Sequence, residues 1–441
     1  MRSLAVALVA AALCAWGQDS TDLKKILERL DNLERENKVL RDEVRGLRIK
    51  LEGPTPLPVE EAKPSVEERL DVTERRVEEQ AQTKVEATQK FPLRLTGMAL
   101  FNTYAIMRHN GGADYNTTAS LAPSRMNAAV SLKQSIIGIK YDGPLTVLGA
   151  KVSGNIFMDF WDGNIEGTTL APRIRTGAID FAWSSSSVRF GYEKPIFSPR
   201  NPNSLANVGI SPLTSSGNLW RWQPQVRFEQ RFQLSPATTF KAQVGIMQTA
   251  DDLGSAFGAL VDRRRPAPQG RFELAYTHGD RRIEIAPGFS TSQTHLRTTG
   301  QSIPSRLVSI DWLVRPVRQL ELTGIFWSGE NIQHMGALRN GLRVLPSGIA
   351  IPVHSQGGWA QWSIAATNRL TFNLMAGIHD DRNSDLANGQ NARNRQATAN
   401  VMFRIAPNVV LSFEAEHLRS LYLSQGTRIN QRYDLAIAYM F

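Results

Sequence analysis

The feature that most constrains this chain is the arrangement of connections between its period-two segments. From residue 91 to the carboxy terminus, apolar residues alternate with polar ones over sixteen stretches, which is the pattern of β-strands with two different faces. Short connections, such as Gly279-Asp280, alternate strictly with long ones. The long connections lie near 108 to 127, 162 to 171, 198 to 219, 250 to 269, 294 to 305, 329 to 353, 380 to 393 and 420 to 428. This alternation is typical of transmembrane barrels, whose turns are short on one side and longer on the other.

The individual strands predict which face would meet lipid. In residues 220–234, Trp220, Trp222 and three phenylalanine or valine residues share one face, whereas the other carries three arginines. A face this polar cannot fill a dry interior, so we expect it to line a water-filled lumen. The outward Trp220, Trp222, Tyr433 and Tyr439 are then candidates for the aromatic belts at the membrane interfaces.

The membrane prediction rests on strands alone. After the first twenty residues, no run approaches the roughly 18 to 20 apolar residues that a membrane helix needs. Residues 91–441 carry 35 basic and 23 acidic residues, a net charge of +12, and 30 of the basic residues are arginines. Arginine suits two-point contacts with carboxylates and phosphates.

The amino-terminal residues predict an export signal. Arg2 precedes an apolar run from Leu4 to Ala15, and small residues at Ala15 and Gly17 predict cleavage after residue 17. A lipoprotein signal that uses Cys14 is the alternative, but Leu13 stands where such signals need a small residue. Cys14 is the only cysteine, so the exported chain is expected to have no disulfide.

Residues 18–52 predict a coiled coil. Leu23, Leu30, Asn37, Val44 and Leu51 recur every seven residues, and Ile26, Leu33, Leu40 and Leu47 form a second register three residues later. The seam predicts oligomerisation through Leu30, Leu33, Asn37 and Leu40. The polar Asn37 favours a dimer, whereas Arg29-Leu30-x-x-Leu33-Glu34 resembles a trimer-specifying pattern, and both states stay open. Residues 53–90 are predicted to begin as a proline-rich linker. A second segment follows, which is either a weak helix or a further solvated linker.

These features together resemble the sixteen-stranded trimeric porins, and within them the DcaP-like branch with a periplasmic coiled coil. The residues that carry the resemblance are the heptads around Asn37, the stretches 135–143, 172–175, 217–227 and 357–362, and the terminal Phe441. The resemblance implies an all-β transmembrane barrel of sixteen antiparallel strands, preceded by the α-helical coiled coil. It also implies that the third long connection, Ser198 to Leu219, folds into the lumen as a constriction loop that presents Arg200, Asn201 and Asn203. Phe441 would be the assembly signal, and the last strand would pair with the strand that begins near Phe91.

The inward faces supply candidate pore-lining residues. The basic ones are Arg94, Arg221, Arg227, Arg231, Lys241, Arg271 and Arg404, and they are partly balanced by acidic residues that include Glu229, Glu273, Glu284, Glu414 and Glu416. A basic excess in a pore raises the local concentration of anions. The alternative is that these arginines only pair with neighbouring acids and stiffen the wall.

The sequence therefore predicts a passive outer-membrane diffusion channel for small hydrophilic solutes, biased towards anions such as dicarboxylates. The alternatives are a phosphate-selective porin and an envelope tether that binds the cell wall through the coil. The expected partners are outer-membrane lipid and lipopolysaccharide, further copies of the chain as a homotrimer, and small anions, with no nucleic acid. Neither a cofactor nor a metal is predicted, since the seven histidines lack ligand spacing. No nucleophile motif predicts an enzyme.

Overall fold

A computed structural model describes residues 92–441 apart from 112–113, 162–169, 249–260, 263–265 and 339. The predicted signal peptide, the coiled coil with Leu30, Leu33, Asn37 and Leu40, and the linker at 53–90 lie outside the described residues. These interpretations, and the homotrimer expected with them, stay predictions. In the part of the chain that is described, no helix is long and apolar enough to cross a membrane.

Sixteen antiparallel strands form one closed barrel within the described residues. We number them in chain order: β1 Leu93–Ile106, β2 in two segments Asn127–Ser131 and Ile136–Val147, β3 Ala150–Asp159, β4 Arg173–Ala182, β5 Ser186–Glu193, β6 Gln223–Ser235, β7 Thr238–Met247, β8 in two segments Val261–Asp262 and Ala267–His278, β9 Arg281–Leu296, β10 Ser302–Val317, β11 Leu320–Glu330, β12 His354–Ala365, β13 Leu370–Asp381, β14 Asn391–Ala406, β15 Val409–Tyr422 and β16 Gly426–Met440. The predicted strand number and antiparallel order are confirmed.

Pairing between the first and last strands closes the barrel. Strand β16 runs antiparallel to β1 in a register that extends from Met98 opposite Met440 to Ile106 opposite Arg432. Beyond the last strand, the backbone of Phe441 continues the ladder, since Gly97 N donates to Phe441 O over 2.9 Å and Phe441 N donates to Gly97 O over 3.1 Å. The expected pairing of the two ends is confirmed. No free edge remains at this seam, as a barrel in lipid requires.

The two faces of β16 differ as the alternation predicts. Tyr433, Leu435 and Ile437 are 39 to 51% exposed on the outward side, together with Tyr439 and Phe441. The intervening Asn430, Arg432 and Asp434 point inward and are at most 2% exposed, as are Ala436 and Ala438. An apolar outside with a polar inside is the arrangement of a membrane barrel and the reverse of a water-soluble one.

One end of the barrel carries only short turns, such as 148–149, 279–280 and 407–408. The opposite end carries the longer connections, but several of these are shorter than predicted, and two of them are less than half the predicted length. Strands β9 and β10 are joined by residues 297–301, and β15 and β16 by residues 423–425. The reason is that these strands extend for 14 to 16 residues. Their polar outer parts pair with each other as hairpin arms instead of leaving the sheet.

The connection between β11 and β12 has secondary structure of its own. It contains a 3-10 turn at Gln333–Met335 and a two-stranded ribbon of Leu342–Val344 with Ala350–Pro352. Leu342 and Ala350 of the ribbon pack against Leu296 and Ile303 of the β9–β10 arm in a small apolar cluster. A second 3-10 turn, Asn383–Asp385, lies between β13 and β14.

Candidate functional site: a loop held inside the barrel

The third long connection, residues 194–222 between β5 and β6, lies inside the barrel; we call it the inserted loop. Its backbone is held by inward side chains of the first strands. Asn102 Nδ2 on β1 donates to Leu205 O over 2.6 Å, and Gln134 Nε2 donates to Ala206 O over 2.7 Å. The oxygen of the same Gln134 side chain accepts from the N–H groups of Val208 and Gly209 over 2.6 and 2.7 Å. Gln134 sits in the break between the two segments of β2, a position that the alternation does not mark.

Arg200 fixes the first part of the inserted loop to the opposite wall. Its guanidinium forms ion pairs with Glu284 of β9 and Asp311 of β10, whose side chains are 3% and 2% exposed. Arg200 therefore faces a buried acidic pair in the wall rather than open water. Asp311 belongs to the inward register of β10 in the sequence, so the alternation could have identified it as a lumen residue.

A second cation shares these wall carboxylates. Arg271 on β8 donates to Asp311 from Nε and an Nη over 2.7 and 2.8 Å, and to Glu273 over 2.6 Å. Lys241 on β7 pairs with the same Glu273 at 2.8 Å. Since Arg271 is 1% exposed and Glu273 is 6% exposed, neither side chain lines an open pore. They instead anchor the wall on which Arg200 rests.

The middle of the inserted loop covers an acidic wall. Asn203 N donates to Gln361 Oε1 over 2.6 Å, Ser204 Oγ donates to Glu414 over 2.9 Å, and Asn207 Nδ2 donates to Glu416. Glu414 and Glu416 point inward from β15 and are 1% and 3% exposed. These carboxylates accept hydrogen bonds from neutral donors and are hidden from the lumen water.

The last part of the inserted loop rests on β4. Arg173 and Arg175 both pair with the buried Asp159 at 2.7 and 2.9 Å, and they donate to Gly209 O and Val208 O over 2.9 and 2.7 Å. The Arg175 guanidinium also lies 4.7 Å from the centre of the Trp222 ring, a cation–π contact.

This contact overturns part of the aromatic-belt prediction. Trp220 and Trp222 are 7% and 9% exposed and pack edge to face at 5.0 Å. They precede β6, which begins at Gln223, and they belong to the inserted loop rather than to the outer surface. Arg221 also lies in the loop, where its backbone N–H donates to Met335 O over 3.4 Å. The period of two simply continues beyond the end of the strand.

The inserted loop also touches the wall through glycine. At Gly377 on β13, an added Cβ would overlap Ser216 O, and at Gly217 in the loop it would overlap Gly358 O of β12. Gly217 has φ +106°, which favours glycine as well. Trp327 Nε1 of β11 donates to Gly217 O over 2.7 Å. The loop tip is therefore packed against β11 to β13 at backbone contact distance.

Several basic side chains of the lumen have no carboxylate partner among the described residues. Arg227 on β6 forms no hydrogen bond or ion pair there, although Arg189 directly opposite on β5 pairs with Asp180 at 2.5 Å. Arg94 and Lys140 are inward cross-strand neighbours on β1 and β2, near the short-turn end. Arg404 on β14 reaches only the Pro407 carbonyl, at 3.5 Å.

The remaining candidates have partners. Arg231 on β6 pairs with Glu229 at 2.7 Å, although its own side chain is 62% exposed. Lys194, which is not among the predicted pore-lining residues, lies at the start of the inserted loop and reaches the Pro199 carbonyl at 3.5 Å. Asn201 follows Arg200 in the buried first part of the loop. In the part of the chain that the structure describes, no group of three or more His, Cys, Asp or Glu side chains is placed to hold a metal ion.

Comparison with known proteins shows the fold. No protein-family model and no curated protein matches the chain. Among solved structures, the outer membrane channel DcaP of Acinetobacter baumannii matches with a TM-score of 0.63 at 15% identity, over 79% of this chain and 97% of that one. OprB of Pseudomonas putida matches with a TM-score of 0.51 at 12% identity, over 81% and 96%. The expected resemblance to DcaP is confirmed as a likeness of fold.

Proposed function

We propose that the protein is an outer-membrane porin, a passive diffusion channel for small hydrophilic solutes that favours anions such as dicarboxylates. The membrane location is supported by the outward faces, where apolar residues such as Leu435 and Ile437 are about half exposed. Exposed apolar faces around an entire closed barrel are stable in lipid and unstable in water. A channel is supported by the inward faces, whose many polar and charged groups require water or partners.

The inserted loop narrows this lumen. A sixteen-stranded barrel is wide enough for an aqueous channel. Residues 194–222 cross it from β9 and β10, which Arg200 contacts, to β4, which carries Arg173 and Arg175. Because the loop is attached at both ends and in the middle, it forms a fixed constriction. A fixed constriction sets a size limit for the solutes that pass.

The anion preference rests on one observation, the unequal accessibility of unpaired charges. Arg94, Lys140, Arg227 and Arg404 are partly or fully exposed and lack carboxylate partners in the described chain. Glu414 and Glu416 accept hydrogen bonds only from neutral donors, but they lie beneath the inserted loop. Solutes in the lumen would therefore meet exposed cations, while these carboxyl groups stay covered, which raises the local anion concentration.

The reversal potential in a salt gradient tests this proposal. Purified protein in a planar bilayer should conduct and should give a reversal potential of the sign for anion preference. Cation preference would contradict the anion bias, and an absence of conductance in correctly folded protein would contradict the channel. Titrating the current with a small dicarboxylate and with inorganic phosphate separates our proposal from a phosphate-selective porin, which phosphate would block at lower concentration. The tether alternative depends on residues 18–52 and stays a prediction.

A further inference from the structure

Two arginines stand side by side on the outer surface of the barrel. Arg395 on β14 and Arg419 on β15 are directly opposite in the strand register, point outward and are exposed. Neither forms a hydrogen bond or an ion pair within the described residues, whereas the nearby Arg393 pairs with Asp380 at 2.8 Å. Like charges directly opposite each other destabilise a sheet. The pair would be stabilised by an anion from outside the barrel.

A trough lies beside this arginine pair on the same outward face. It has a volume of about 510 Å³, and its floor is made by small side chains of β13 to β15, namely Ala376, Ala397, Ala399 and Ala415. Trp362 and Tyr433 are among the larger side chains that line it, and they are 55% and 39% exposed. Along β14, Arg395 is the next outward residue after Ala397. The trough therefore leads from the apolar surface to the two guanidinium groups.

The outward residues of β14 show how high on the barrel Arg395 and Arg419 lie. Those from Ile405 to Ala397 are apolar and are followed by Arg395. The eight residue-to-residue steps from Ile405 to Ala397 span about 27 Å along the strand. At a strand tilt near 40°, this length corresponds to roughly 21 Å along the barrel axis. That height is close to the apolar band of about 25 Å in membrane barrels. The arginines lie towards the long-loop end. Since the longer loops of outer-membrane barrels are extracellular, the pair would reach the headgroup level of the outer leaflet.

We propose that this surface binds one phosphorylated lipid of the outer leaflet, with its phosphate between Arg395 and Arg419 and an acyl chain in the alanine-floored trough. The inference rests on the proposed membrane location. A second copy of the chain is a poorer occupant, because the outward carboxylates that the structure describes near this rim already have partners. Glu330 and Asp385 pair with His354 at 3.3 and 2.8 Å, and Asp380 pairs with Arg393.

Native mass spectrometry of the purified full chain after exchange with bisphosphorylated lipid A tests the site. The wild type should retain one lipid, and Arg395→Gln/Arg419→Gln should lower retention by about tenfold or more, since each arginine supplies a charge-assisted hydrogen bond. Arg318→Gln/Arg369→Gln, the same charge change in two short turns at the opposite end, should retain the lipid. Dephosphorylated lipid A should be lost from the wild type, and Ala397→Phe, which fills the trough, should also lower retention.

Equal retention by the double variant, or equal retention of the dephosphorylated lipid, would overturn the proposal. If Ala397→Phe instead dissociated oligomers and left lipid retention unchanged, the trough would be a subunit interface and the lipid site would be wrong. Conductance measured on the same samples keeps the two proposals separate. A conducting protein without lipid retention contradicts the lipid site alone, whereas a retained lipid without conductance supports the site and contradicts the channel.

Discussion

Arg189 and Arg227 occupy directly opposite positions on β5 and β6, and only Arg189 has a carboxylate partner. Asp180 accepts from Arg189 over 2.5 and 2.9 Å on the side away from β6, which leaves Arg227 facing the lumen with its charge uncompensated by any described residue within ion-pair distance. Arg189 is thus held by the wall, whereas Arg227 would be available to a solute in the proposed channel.

Replacing Arg227 should therefore change selectivity more than stability. A unit charge acting in water on an ion about 5 Å away contributes roughly 0.8 kcal/mol, or about fourfold in local ion concentration. Because the same charge also repels cations, we expect Arg227→Gln to lower the anion-to-cation permeability ratio by about fourfold or more, measured from reversal potentials. Arg318→Gln is the matched control outside the lumen. An unchanged ratio in Arg227→Gln would show that solutes do not pass near this side chain.

Arg200→Gln should widen the channel. The change removes the ion pairs that tie the start of the inserted loop to Glu284 and Asp311. Glu284 keeps Arg282 and Asp311 keeps Arg271, so the loss of stability should be limited to about 2 kcal/mol. With one attachment released, single-channel conductance should rise and become noisier. Conductance equal to that of the wild type would mean that the remaining contacts fix the loop alone.

The backbone contact at Gly377 makes a separate prediction about the loop tip. Gly377→Ala would place a methyl group against Ser216 O, so the tip must move or the wall must deform. Overpacking of this kind costs about 1–3 kcal/mol, which a heat-modifiable gel shift would show as earlier unfolding. Gly177→Ala is the control, since its nearest neighbour, Asn155 O, is at an ordinary 3.5 Å. Equal unfolding temperatures for the two variants would contradict the close packing.

The connection between β13 and β14 should respond to acid. Partial burial raises the pKa of the Asp385 carboxyl, but hydrogen bonds from the backbone N–H and ring of His354 outweigh this effect and hold the pKa below its ordinary value. The contribution of Asp385 to stability is thus complete above its unfolded pKa of about 3.9 and is lost as the pH falls through the lower folded pKa.

The measurement is the difference in unfolding free energy between the wild type and Asp385→Asn, obtained in lipid vesicles as a function of pH. We expect the difference to be constant down to about pH 4 and to shrink below it. A difference that stayed constant to pH 2 would mean that the charge of Asp385 does not stabilise this connection.

The sequence predicts the barrel because a strand that faces lipid on one side and water on the other requires a pattern of two. Because the outward positions from Tyr433 to Phe441 are all apolar, this strand could be recognised from its alternation. The number of strands and the closure of the barrel could be predicted in the same way. The same rule failed at Trp220 and Trp222, where alternation continues by chance into a segment that turns inward. The alternation also does not predict where each hairpin ends, because strands such as β15 and β16 continue to pair beyond the apolar band.

The sequence predicts only part of the candidate site. The alternation identified Arg227 and Arg271 equally as inward residues, yet one is unpaired and the other is buried against Asp311, forty residues away in the chain. Which arginine finds a carboxylate depends on strand register and on the path of the inserted loop, neither of which has a local signal. Gln134 is the clearest case, since a break in β2 turns its amide towards three backbone groups of the loop.

The inserted loop also bears on how the barrel is completed. Leu205 and Asn207 of the loop are held by Asn102 on the first strand and by Arg432 on the last, so the loop bridges the seam from inside. Those two strands are synthesised hundreds of residues apart, and the loop lies between them in the chain. It can therefore act as an internal template that brings the two ends together. Insertion of the loop into the barrel and pairing of the first strand with the last would then be a single event in assembly.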